Sequence, residues 1–395
     1  MWTAPRKRSN EQGGEMTFLG YPRPDGSAGV RNRVGIISTV VCANDITSRI
    51  ASQIEGAVAF THSQGCCQTP PDLQRVTRTL ISLGSNPNLA SVLLVSLGCE
   101  GVVADDVAAG IARTGKPVEK VIIQKDGAVE AVARGCHIAR QMVSDASTIR
   151  RQEFPNSALR VGVKCGASDT TSGLASNPAI GMAFDRFIDD GASCVFGETT
   201  EFMGAEHILA RRAASPEVAR RIYEIVERLE KRVIAMGVDM RGGQPTRGNI
   251  AGGITTIEEK SLGAIVKSGT RTIQSVYEYG EMPEGKGLFI VDSPGMEPCA
   301  FTAIAAAGCQ VALFSTGLGA LHGFPFVPII KVTANPETQR RLEEHVDVFV
   351  DMESIPDGAE SIYSRVLEVA SGKMTKAEIM GYVTSTDIWT TGPVI

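Results

Sequence analysis

Short apolar runs rich in β-branched residues recur along this chain. Each is followed by a glycine-containing corner and then by a helix-like segment. That alternation constrains the fold more than any other feature, because a strand that returns after a helix lies parallel to its predecessor through a right-handed crossover. The pattern predicts strands over 34–41, 57–60, 91–97, 120–124, 159–163, 192–196, 287–291, 310–315, 328–333 and 346–350. It predicts helices over 46–54, 72–83, 103–114, 127–144, 179–189, 203–236, 300–307, 336–344 and 359–371. The expected fold class is α/β: two to three α/β units with mostly parallel, Rossmann-like sheets and glycine-rich active-site loops. The expected boundaries are a disordered N-terminal arm over 1–19, an N-terminal α/β domain over 20–150, a middle α/β domain with a glycine-rich loop over 151–285, and a C-terminal Rossmann-like α/β domain over 286–395.

Composition narrows the function classes. At 395 residues, 43% hydrophobic, the chain exceeds the usual single domain. A net charge of −5 without a basic stripe argues against nucleic acid and membrane surfaces as partners. No apolar run is long enough to span a bilayer. The basic start has no apolar stretch behind it, so it does not read as a signal peptide, and a cytoplasmic location is expected. Nine cysteines, an odd number, then point to reduced thiols rather than a disulfide framework. Cys42, Cys136, Cys194 and Cys309 lie in or beside apolar stretches and read as small buried hydrophobes.

Three other strand ends each deliver a cysteine beside a glycine: His62-Ser-Gln-Gly-Cys66-Cys67-Gln68, Leu97-Gly-Cys99-Glu100 and Cys165-Gly-Ala-Ser168-Asp169. In an open parallel sheet this edge is where ligands bind. Thiols beside carboxylate and imidazole suit a divalent transition metal, with Cys66, Cys99, Glu100 and Cys165 as candidate ligands for Fe2+ or Mn2+. Three thiols can alternatively hold a [4Fe-4S] cluster. The intervals of 33 and 66 residues between the cysteines match no zinc-ribbon spacing, and scattered buried cysteines are the plain alternative. His62, Glu198, Glu201 and Lys260 are acid–base candidates; a capped helix start and an exposed helical lysine are the plainer readings of the last three. Arg31 and Arg33 are candidates for a bidentate clamp on a substrate carboxylate, against the alternative of a surface loop. The stretch 237–271 is glycine-rich and long, which in a compact protein is usually functional. It lacks the spacing of a nucleotide-binding loop, and Thr255 or Thr256 with Glu258 or Glu259 can begin a capped helix.

Several runs together carry a resemblance: Gly20-Tyr-Pro-Arg-Pro-Asp-Gly with Gly29-Val-Arg-Asn, Leu97-Gly-Cys-Glu100, Cys165-Gly-Ala-Ser-Asp169, Gly197-Glu-Thr-Thr-Glu201, Asp292-Ser-Pro-Gly295 and the specific run Gly248-Asn-Ile-Ala-Gly-Gly-Ile-Thr-Thr-Ile-Glu-Glu-Lys-Ser-Leu-Gly263. In this order they resemble the altronate/galactarate dehydratase family over nearly the whole chain after residue 20. The resemblance implies an iron-linked hydro-lyase of carbohydrate-acid metabolism that removes water from a sugar acid or related hydroxy carboxylic acid. It places Gln68, Ser168, Asp169, Asn249, Thr255, Thr256 and Thr316 beside Arg31 and Arg33 as substrate-binding candidates. The family also includes the large subunit of sulfolactate sulfo-lyase, a carbon–sulfur lyase that releases sulfite. Many members carry a small N-terminal domain that this sequence lacks, which implies a separate small partner subunit; a homo-oligomer is also expected. A non-catalytic binding subunit of the same fold is the third reading. One departure stands out. Where members often have Thr-Thr-Gly-Arg-Gly-Thr-Pro, this chain has Ser315-Thr-Gly-Leu-Gly-Ala-Leu321, and the missing arginine leaves the partner of the substrate's distal group open.

Overall fold

The computed structural model describes residues 16–240, 243–383 and 386–395. The chain begins with a hairpin, β1 (Thr17–Pro22) against β2 (Ala28–Gly29). The first strand therefore takes up residues 17–19 of the segment expected as a disordered arm, whose residues 1–15 lie outside the described ones. Next come β3 (Arg33–Ser38), β4 (Ala57–Phe60), β5 (Leu89–Ser96) and β6 (Val118–Ile122), separated by helices. They form a parallel sheet of order β4-β3-β5-β6. Every residue of β5 is buried, as its unbroken apolar run requires of a central parallel strand. β7 (Gln152–Pro155) then returns to β1 and closes the small antiparallel sheet β2-β1-β7.

The second sheet comprises β8 (Arg160–Gly166), β9 (Ser193–Phe196), β10 (Ile273–Tyr277), β11 (Gly287–Val291), β12 (Val311–Thr316), β13 (Ile329–Thr333) and β14 (Val348–Phe349). All seven strands are parallel, in the order β10-β11-β9-β8-β12-β13-β14. The boundary expected between 285 and 286 falls between β10 and β11, which are neighbours in this sheet, so the two later units share one layer. A core containing Phe60 and Leu94 of the first sheet together with Phe289 and Phe314 of the second fills the space between them. The order reverses direction between β3 and β5 in the small sheet and between β8 and β12 in the large one. Such switch points open a crevice at the carboxyl ends of the strands.

Two expectations change. The helix expected over 203–236 is broken into a short helix Glu206–Ala210 and a long one Pro216–Ala235. Ser215 caps the second with its hydroxyl, Pro216 occupies its first turn, and Ala213 bridges to Ile273. Arg31 is no substrate clamp. Its guanidinium pairs bidentately with Glu378 at 2.7 and 2.8 Å and donates to the carbonyls of Val30, Val369 and Lys373. It thus ties the start of the chain to the end of the helix Ile355–Ala370. Arg33 opens β3 at its amino end, away from the edge where ligands enter. No helix among the described residues is long and apolar enough to cross a membrane.

Candidate active site at the carboxyl end of the large sheet

β8 leaves the sheet through Lys164-Cys165-Gly166 beside the switch point. Side chains alternate along a strand, so Lys164 and Cys165 face opposite sides. Lys164 is buried on the inner side. Its ammonium donates to Glu198 Oε1, the Cys165 carbonyl and the Gly295 carbonyl, each at 2.9 Å. Burial alone would depress its pKa, but Glu198, Glu297 and Glu201 raise it, so it stays charged.

Glu198 follows β9 and holds a left-handed backbone, φ +70°, which is costly for a residue with a side chain. The Ser293 hydroxyl accepts from its N–H at 3.0 Å and fixes that turn. The strained backbone carries the carboxylate around the sheet edge. Oε1 meets Lys164, while Oε2 meets Lys267 at 2.6 Å and accepts from the Cys165 N–H at 2.9 Å. Burial would raise the Glu198 pKa, but the cations Lys164 and Lys267 hold it below the ordinary carboxylate value. Lys267 also reaches Glu201 at 2.5 Å. Burial opposes its charge, and the two carboxylates outweigh that and push its pKa up. The result is a buried chain, Lys164–Glu198–Lys267–Glu201, with two charges of each sign.

In front of it lies a cavity of about 310 Å³ lined by Cys165, Ser168, Asn177, Lys260 and Gly263 among others. The Cys165 thiol is 3.0 Å from the Ser168 hydroxyl, and burial, then Glu201, push its pKa up, so it stays protonated. Asn177 donates to the Gly263 carbonyl at 2.8 Å and to the Cys165 sulfur at 3.6 Å. Its Oδ1 is buried without a hydrogen-bond partner among the described residues. Lys260, half-buried, donates to Gln244 Oε1 at 2.7 Å and lies 3.9 Å from Glu201 Oε1. Asn249 links the glycine-rich segment to this wall: it donates to the Ser168 carbonyl at 2.9 Å, and its Oδ1 is 3.4 Å from the Lys260 ammonium.

Glu198, Glu201, Lys260, Ser168, Cys165 and Asn249 are thus brought together. Asp169 lines the cavity too, but its carboxylate is occupied by Thr171, Ser172 and Asn335. Thr255 donates to Glu259, and Thr256 caps the helix Ile257–Ile265, so both are local structure rather than ligand groups. Thr316 is buried and accepts from the Gly319 N–H at 3.2 Å, shaping the turn after β12. Gln68 folds back on Gly65 and Gln64 of its own loop. Lys164 and Lys267 were not anticipated. A lysine inside the buried run Val161-Gly-Val-Lys164 was the available signal, since such a charge must be paired. Lys267, in a helical stretch, gave none.

The thiols of the first sheet lie at that sheet's own switch point. Cys66 and Cys67 have their sulfurs 3.6 Å apart, and Cys99 accepts from Gln124 at 3.1 Å. Glu100 is held by Thr39, Ser96 and the Gly98 N–H. Burial would raise its pKa, but these bonds keep it below the ordinary value. Cys165 meanwhile stays a buried, protonated thiol at the other sheet. Among the described residues no three His, Cys, Asp or Glu side chains form a group able to hold a metal ion. The expected set Cys66, Cys99, Glu100 and Cys165 therefore does not converge, and these donors as arranged do not fit Fe2+, Mn2+ or a cluster.

His62 is also corrected. It is buried, with Nε2 2.9 Å from the Ser38 carbonyl and Nδ1 accepting from the Gln64 N–H at 3.1 Å, so both ring nitrogens are used to shape its loop. Burial pushes its pKa down to about 4. A depressed histidine stabilises the fold fully above its unfolded value near 6.5, and that contribution is lost as pH falls toward about 4. Between pH 7.5 and 5 the loss is about 2 kcal/mol. Urea unfolding of His62→Gln should show a pH dependence shallower than wild type by that amount, and an identical slope would refute the assignment.

Comparison with known proteins gives a consistent set. The model of the family "D-galactarate/Altronate dehydratase, C-terminal" matches residues 156–394, and "D-galactarate dehydratase/Altronate hydrolase, second domain" matches residues 20–147. The chain is 39% identical to the (2R)-sulfolactate sulfo-lyase subunit beta of Chromohalobacter salexigens, over 93% of this chain and 95% of that protein. It is 32% identical to the altronate dehydratase of Bacillus subtilis over 95% of this chain and 78% of that protein. It is 31% identical to the galactarate dehydratase (L-threo-forming) of Escherichia coli over 90% of this chain and 73% of that protein.

Proposed function

We propose that this chain, which belongs to the D-galactarate/altronate dehydratase family, is the large subunit of a lyase that expels a β-substituent from a small hydroxylated carboxylic acid. The observation that carries the reading is the cavity at the β8/β12 switch point, lined by Lys260, Cys165 and Asn177, with the paired Lys164–Glu198–Lys267–Glu201 chain behind it. In the proposed reaction the proton on the carbon α to the carboxylate is removed. The C–H electrons form the new double bond, the β-substituent leaves with its bonding pair, and the resulting enol tautomerises to a 2-oxo acid. Lys260 is the group placed to exchange that proton, Asn177 Oδ1 accepts from the substrate hydroxyl, and the fixed charges behind Cys165 set the field in which the intermediate's negative charge develops.

Water and sulfite are the two leaving groups this chemistry accommodates. Sulfite is favoured by the near full-length match to the sulfo-lyase subunit, compared with 73–78% of the dehydratases' lengths. Leu318, standing where the resemblance leads one to expect arginine, favours a substrate other than galactarate or altronate. The name of that relative, a subunit beta, also supports a separate small partner here. The test is an NMR assay on sulfolactate, altronate and galactarate, with the chain alone and with a co-expressed small subunit. One 2-oxo acid per acid consumed is expected; equimolar sulfite identifies carbon–sulfur cleavage. No 2-oxo acid from any of the three under either condition would sink the lyase reading.

A further inference from the structure

Lys331, at the centre of β13, is 1% exposed, and its ammonium is buried without a hydrogen-bond partner among the described residues. The other fully buried lysines are satisfied: Lys116 by the carbonyls at 84–86, and Lys164 and Lys267 by glutamates. An unpaired buried cation is costly, so a sequence that keeps one invites a counter-ion.

The register shows where it points. Ile330 and Val332 pack in the outer core and Ile329 in the core between the sheets, so Lys331 faces inward. Phe314 of β12 is its partner across the ladder, and Lys164 of β8 is the partner of Phe314 on the other side. Lys164, Phe314 and Lys331 thus form one row on the inner face, its ends roughly 10 Å apart by strand spacing. The loop after β12 carries His322 to Phe314, 6.4 Å between ring centres. Its Nδ1 is likewise buried and without a partner among the described residues. The rest of His322 is half-buried, and Leu321 beside it in the chain is exposed.

We propose that Lys331 and His322 form a binding site for a small organic anion, a sulfonate or a carboxylate, on the inner face of the large sheet. Burial brings the Lys331 pKa down to about 8, partly offset by Asp347. His322 is lowered by burial, then by Lys164 and Lys331 against the pull of Glu297. His345, also lowered by burial, lies within the field of Lys331, Asp347, Glu344 and Lys376. Asp347 receives the backbone N–H groups of Lys331 and Lys376 and is within the field of Arg365. An anion seated on Lys331 therefore draws a proton onto it near pH 8.

The test is calorimetric titration of the whole protein with methanesulfonate and with acetate, which needs no turnover. Wild type is expected to bind, with proton uptake at pH 8.5 seen as a dependence on buffer ionisation enthalpy. Lys331→Met should weaken binding at least tenfold while melting no lower than wild type, and Lys116→Met should leave it unchanged. Tighter methanesulfonate binding marks a sulfonate site, and tighter acetate binding a carboxylate site. Absence of binding in wild type, binding without proton uptake, or equal affinity in Lys331→Met would overturn the site. Binding that behaves as expected in a protein that turns over none of the acids would overturn the lyase reading alone.

Discussion

Lys267→Met is expected to abolish turnover, by about a thousandfold or more, and to destabilise the fold by about 3–5 kcal/mol. Lys267 is the only cation within hydrogen-bond reach of Glu201 among the described residues and the second of two on Glu198. Without it, Glu198 keeps Lys164 and Glu201 keeps only the more distant Lys260, 3.9 Å away. A carboxylate left unpaired in such a place takes up a proton, so the charge pattern behind the cavity is lost even where the chain still folds. The double variant Lys267→Met/Glu198→Gln separates the two effects. Removing one negative charge with the positive one should recover part of the stability but none of the activity. Urea titrations and initial rates check both, and a Lys267→Met protein with wild-type rate would remove the buried chain from the mechanism.

Lys260→Met is expected to lower kcat by about a hundred- to ten-thousandfold, the range typical of a lost proton-transfer group. Stability should change little, because Lys260 is half-buried, its hydrogen-bond partners Gln244 and Asn249 are neutral, and Glu201, 3.9 Å away, keeps its close pair with Lys267. Lys260→Arg discriminates between roles. If the ammonium only anchors an anion, arginine restores the rate with a modest change in KM; if it carries the proton, kcat stays low although KM recovers. Steady-state kinetics of the three proteins decide this.

Much of this architecture was legible in the sequence because it rests on local periodicity. The strands at 57–60 and 287–291 fall where the apolar runs put them, and the parallel ladders follow from the helices between. The strands β1 and β7 were not legible: Thr17–Pro22 holds a glycine and a proline, and Gln152–Pro155 is polar, so neither alternates clearly. The candidate site divides the same way. Glu198 and Glu201 were visible because a carboxylate just past a buried strand is conspicuous. Arg31 misled because a guanidinium suits any carboxylate, and its actual partner, Glu378, lies 347 positions away. His62 misled for a similar reason, since an imidazole in a cysteine-rich loop looks catalytic until both nitrogens are seen to hold backbone. The thiols share strand-end positions without sharing a place, because Cys165 belongs to a different sheet from Cys66 and Cys99.

The most direct test of the central claim is a crystal structure of the protein, with its small partner where one is required, bound to a substrate analogue whose β-leaving group is replaced by hydrogen. The account predicts density for the analogue in the cavity at the end of β8. Its hydroxyl should lie within hydrogen-bond distance of Asn177 Oδ1, with Lys260 facing the α-carbon. An analogue bound instead among Cys66, Cys99 and Glu100, with that cavity empty, would contradict it.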